Sequence, residues 1–198
     1  MLLALAFVAG FATAARADAP KIDWARGLVI ADGVGVADRH APNPAVARGT
    51  SRRGAEDAAR KVLAAKVGEL PVAGGGKVAD KAKKDAAVKA RLDAAVAAAV
   101  TLDAEPETDG AWRVTMAVPI EAVRQALEGG ARVLGADGDT GTIVAVLEGM
   151  KGKPAVGAID APAIWVTELP AWAKDAPKVE AKGLKPAAQT LYVIVTKP

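Results

Sequence analysis

The sequence predicts an α+β fold, and three observations carry that prediction. Residues 45–67 repeat small apolar side chains at intervals of three and four, the pattern of a helix with one buried stripe. "AWRVTMAVPI" sets Trp112, Val114, Met116 and Val118 on alternate positions, as a half-buried strand does. Beyond about Ala131, prolines separate short apolar pieces, "TIVAVLEG", "AIWVTEL" and "QTLYVIVTK". These read as short strands joined by irregular turns, an appended β-rich C-terminal segment.

The 198 residues suffice for one domain with a real core and a small appended module. Three parts are expected: a signal peptide over 1–17, an α+β domain over 18–128, and the β-rich extension over 129–198. The opening "MLLALAFVAGFATAARA" is an apolar run ending in the small-x-small pattern Ala15-Arg16-Ala17. That pattern predicts export, with Asp18 the first mature residue. The chain has no cysteine, which suits a bacterial periplasm and excludes a cysteine nucleophile, a thiolate metal site and a lipidated cysteine.

"KIDWARGLVIADGVGVA" is rich in β-branched residues and predicts one long or bulged strand, with Gly33 and Gly35 at a bend. Pro42 and Pro44 mark a loop leading into the first helix. Its inner stripe is read as Ala47, Ser51, Ala55, Ala58, Val62 and Ala65, so it should lie close to the sheet it covers. "GELPVAGGGK" breaks that helix, and alanines and lysines favour a second from about Ala79 to Arg91. Leu92 to Leu102 can continue as helix or turn to strand, and propensity favours helix. "EPETDG" is a turn before the alternating strand. "PIEAVRQALEGG" then reads as a short helix with Pro119 at its start and Gly129 past its end.

Chemistry-bearing motifs are sparse. In "GVGVAD" a dinucleotide fingerprint needs a third glycine opening a helix, but Asp38 stands there and two prolines delay the helix. "GGGK" lacks the following Ser or Thr of a phosphate loop, because Val78 takes that place. Asp137, Asp139 and Glu148 match the first, third and twelfth places of a calcium loop, yet Thr142 replaces the glycine at the sixth. His40 is the sole histidine and Ser51 the sole serine, with no elbow motif around Ser51. No catalytic set, metal site or cofactor is expected.

Charge is uneven. Twelve lysines and arginines lie between Arg48 and Arg91, against five acids, and the net charge of the whole chain is +3. Such a stretch forms a solvated helix face or meets an anionic membrane surface or an acidic partner. Without interleaved aromatics it does not read as a nucleic-acid surface. Trp24 and Trp112 alternate with apolar residues and are expected in the core. "WVTELPAW", carrying Trp165 and Trp172, is the aromatic contact candidate.

The run "GVGVA…NPAVARGTSRRGAEDAARKVLAAKVGELPV", followed by "DGAWRVTMAVPI", resembles the Lpp-twenty (FlgP-like) lipoprotein family of bacterial envelopes over about residues 24–125. The resemblance implies helices on one face of a small antiparallel sheet, with Leu92 to Ala104 a strand paired with Trp112 to Val118. It also implies a non-enzymatic protein at the outer membrane, in some relatives part of flagellum-associated assemblies. This chain departs from the family in lacking the lipobox cysteine, so lipid anchoring is not implied. The sequence is therefore expected to encode an exported protein of the periplasm or the periplasmic face of the outer membrane. It would act through contacts with itself or other envelope proteins, using Arg52, Arg53, Arg60, Trp165 and Trp172. The alternative is a periplasmic module binding lipid or a small ligand in a cleft between helix and sheet.

Overall fold

Two four-stranded sheets organise the chain. A computed structural model describes residues 19–129, 143–187 and 190–196. The first sheet is antiparallel, in the order β1 (Lys21–Asp23), β2 (Leu28–Gly35), β4 (Trp112–Pro119), β3 (Val100–Pro106). Helices α1 (Pro44–Gly68), α2 (Val78–Lys84), α3 (Ala86–Ala97) and α4 (Ile120–Glu128) accompany it. The second sheet is parallel, in the order β6 (Ala163–Val166), β8 (Thr190–Val195), β5 (Ile143–Glu148), β7 (Lys178–Glu180). The chain is thus α+β.

The first strand divides in two. Gly27 takes φ +66°, a left-handed conformation that suits glycine, and its amide closes the turn onto the Trp24 carbonyl. β1 and β2 therefore form a hairpin where one bulged strand was expected. β2 pairs with β4 in a register that sets Gly33 beside Val114 and Gly35 beside Trp112.

α1 begins where Asn43 accepts from the Val46 amide, with Pro44 at the first helical position. Its buried residues are Ser51, Ala55, Ala59, Leu63 and Val67, one every four residues. The expected stripe holds for Ser51 and Ala55 and then departs, because Ala58 and Val62 are only half-buried and Ala65 is exposed. A fourfold repeat drifts about 40° per step around a helix of 3.6 residues per turn, so the contact line spirals as α1 crosses the strands.

The segment from Leu92 is corrected. α3 runs on to Ala97, burying Val88, Leu92 and Val96 at helical spacing, and only Val100 onward pairs with β4. Asp85 makes the break before α3 by accepting from the Ala87 and Val88 amides. Helix propensity and the four-residue spacing decide residues 92–97. α4 matches its expected limits, with Pro119 before it and Gly129 closing it at φ +76°.

The main core joins α1, α3 and α4 to the first sheet, with Leu63, Leu70, Met116 and Val29 fully enclosed. A second core gathers Leu147, Trp165, Tyr192 and Ile194 on one side of the parallel sheet. Trp24 packs against both. Backbone bonds also link the N-terminal and C-terminal parts: Trp165 of β6 donates to the Trp24 carbonyl, and Ala73 to the Val156 carbonyl. The apolar pieces expected as C-terminal strands form β5, β6 and β8. β7 was not anticipated, and neither was the parallel arrangement. Among the described residues, no helix is long and apolar enough to cross a membrane.

Candidate interaction surface

The five residues singled out from sequence fall on three separate elements. Arg52, Arg53 and Arg60 lie on α1 away from its buried stripe, while Trp165 is in β6 and Trp172 is on a one-turn helix, Ala171–Ala173. Because the inner side of α1 is pinned to the sheet, its outer side is turned to solvent by necessity.

That outer side is a graded charge surface. Arg52 reaches Glu56 at 3.3 Å, and Arg60 reaches Glu56 at 3.5 Å and Asp57 at 3.2 Å. Two acids thus hold Arg52 and Arg60 in place along the helix. Arg53 is exposed, and among the described residues no ion pair engages it. The Arg52 guanidinium also lies 5.4 Å from the centre of the Trp112 ring. The Trp112 Nε1 is buried and has no hydrogen-bond partner among the described residues. Arg52 is therefore a fixed charge on an aromatic base, and Arg53 an exposed charge beside it.

The two C-terminal tryptophans part company. Trp165 is 5% exposed and belongs to the second core, so the structure withdraws it from the contact surface. Trp172 is 59% exposed, and its ring stands on the short helix that follows Pro170. Its neighbour Ala173 is fully buried and anchors that turn. Trp24 and Trp112, expected in the core, are half-buried and pack against it.

A further ionic cluster escaped the sequence reading. Arg124 on α4 binds Glu121 at 2.7 Å, Glu128, and Asp160 from the loop before β6 at 2.9 Å. Its spacing to Glu121 and Glu128, three and four residues, was legible as a helical network. Asp160, 36 residues away, was not. The hydrogen bond to Glu121 raises the Arg124 pKa. Burial lifts Glu128 above the usual carboxylate range, and the nearby Asp160 and Glu121 charges add to that against the pull of Arg124. The cluster clasps α4 to the C-terminal half.

The remaining motifs take structural places. Ser51 is 1% exposed and donates its hydroxyl proton to the Gly35 carbonyl at 2.6 Å, while His40 is exposed in the loop before α1. "GGGK" forms a tight turn, with Gly74, Gly75 and Gly76 all at positive φ and Val72 donating to the Gly76 carbonyl. Glu148 ends β5 and pairs with Lys178 at 3.0 Å, whereas Asp137 and Asp139 lie outside the described residues. Among the described residues, no group of three or more histidines and carboxylates is placed to hold a metal. At Gly33 and Gly35 α1 meets the backbone of β2 directly, so no cleft opens between helix and strand there.

No protein-family model matches the chain, and no curated protein or solved structure matches it either.

Proposed function

We propose that this chain is an exported, non-enzymatic structural protein of a bacterial envelope that works through protein–protein contacts, with further copies of itself among its partners. The observation that carries the reading is the outer face of α1, where Arg53, which no ion pair engages among the described residues, stands beside the ion-paired Arg52 and Arg60. A helix fixed on one side and charged on the other presents a rigid surface, and rigid charged surfaces select and orient acidic partners. Trp172 supplies a second, apolar contact of the kind that anchors interfaces. The resemblance of residues 24–125 to the Lpp-twenty family supports the envelope setting and an association with outer-membrane or flagellar assemblies.

Light scattering on the protein lacking residues 1–17, across a concentration series, tests this. The expected result is a mass above that of one chain, falling toward the monomer in Arg53→Glu/Arg60→Glu and in Trp172→Ala. A strict monomer at high concentration, or an assembly indifferent to both variants, overturns it.

A further inference from the structure

The short helix α2 separates two clefts and carries three lysines, Lys81, Lys83 and Lys84, all exposed. Among the described residues, no ion pair engages any of the three. On one side of α2, a groove of about 270 Å³ runs between α1, α2 and α3. Its walls include Val67, Val78, Ala82, Leu92 and Val96, whose side chains are hydrocarbon only. Among the described residues its charged lining residues are Lys83, Lys89 and Asp93, and Lys89 is tied to Asp93 at 2.6 Å. Among the described residues, Lys83 is thus the lining charge that no ion pair engages.

The groove exists because the helices that frame it face each other with small residues. A Cβ added at Gly68 would stand 3.4 Å from the Ala79 methyl, so α1 and α2 touch closely there. Asp85 separates α2 from α3, and Ala64 of α1 with Ala79 and Ala82 of α2 are the small residues that line the space between the three helices. Leu92 and Val96 are buried at its base, while Ala64, Lys83 and Lys89 are exposed at its rim.

We infer that this groove binds a single-chain anionic amphiphile: an alkyl chain between α1, α2 and α3, with a phosphate or carboxylate head at Lys83. The chemistry of the walls selects the class. Side chains without polar atoms give a peptide backbone nothing to bond, whereas methylenes need only apolar area. The volume falls just below the range of about 300–1,000 Å³ usual for ligand sites and leaves room for one alkyl chain. Lys81 and Lys84, on the far side of α2 in a cleft that also holds Asp85 and Glu128, add positive charge near the head. This site is separate from the α1 arginines and Trp172 and does not rest on the structural role proposed above.

Titration of the full chain with dodecyl phosphate below its micelle concentration, followed by backbone amide NMR shifts, tests the inference. Dodecyl maltoside supplies the same chain with a neutral head, and inorganic phosphate the head alone. Dodecyl phosphate is expected to shift amides of residues 64–68, 78–83 and 92–96 saturably, with the maltoside about tenfold weaker and phosphate inert at these positions. Ala82→Trp, which fills the groove, should abolish the shifts. Lys83→Glu, an exposed change that leaves the fold intact, should weaken binding about tenfold. Equal affinity for the neutral and anionic amphiphiles, phosphate shifting the same amides, a folded Ala82→Trp that binds like the parent, or no saturable shift at all would each overturn it.

Discussion

The Ser51 hydroxyl donates to the Gly35 carbonyl at 2.6 Å, directly beneath the point where α1 and β2 touch backbone to backbone. A Cβ at Gly35 would fall 1.8 Å from the Ser51 carbonyl oxygen, and one at Gly33 2.0 Å from that of Ala55. Helix and strand approach this closely only because four small residues meet there, and the serine bonds a strand carbonyl at that contact. Ser51→Ala leaves a buried acceptor short of that bond and should cost about 1–3 kcal/mol in urea unfolding. A loss under a few tenths would mean the carbonyl is satisfied without it.

Gly33→Ala and Gly35→Ala should each destabilise by about 3 kcal/mol or more, because the added methyl meets main-chain atoms that no rotamer change can move. Gly49→Ala is the control. It lies within α1 with nothing near its Cβ, so it should stabilise by about 0.5–1 kcal/mol. Thermal melts of the three variants separate steric exclusion from the general preference of helices and strands against glycine.

Trp165→Ala and Trp172→Ala should behave as opposites. Removing the buried ring of Trp165 opens the second core and is expected to cost about 3–5 kcal/mol. Removing the exposed Trp172 ring should change stability by no more than about 0.5 kcal/mol while reducing association. Comparable destabilisation in the two would place Trp172 in the core in solution.

The Arg124 cluster predicts a pH dependence with a definite sign. Glu128 holds its proton more tightly in the folded chain than in the unfolded one. Between the ordinary carboxylate range and the raised folded value, the native state therefore binds more protons, and stability falls as pH rises. The contribution is fully present at acid pH and lost as pH rises through the folded value. Glu128→Gln cannot ionise and removes this dependence, so the parent should lose stability relative to the variant as pH climbs through that range. Parallel pH profiles for the two proteins would contradict this.

Much of the first domain was legible because local chemistry and tertiary packing agree there. Asn43 and Pro44 start α1, Pro119 and Gly129 bracket α4, and the alternation from Trp112 to Val118 marks β4. Legibility failed where periodicity left a choice or a distant partner decided. Residues 92–97 satisfy strand and helix patterns alike, and the resemblance drew them to strand although Val88, Leu92 and Val96 already shared one helix face. Trp165 and Trp172 share one irregular segment, and nothing local distinguishes the ring that β8 and the hairpin turn bury from the one left in solvent.

By itself, the sequence determined the α+β class, the small-residue contact of α1 with a glycine-bearing strand, and the surplus of positive charge from Arg48 to Arg91. Each follows from composition and spacing within a short window. Only the tertiary structure decided which strands lie parallel, that Asp160 completes the Arg124 cluster, and that Lys83 stands at the mouth of an apolar groove. Those are relations between segments tens of residues apart, set by how α1 crosses the sheet and where Asp85 turns the chain, and no local pattern encodes them.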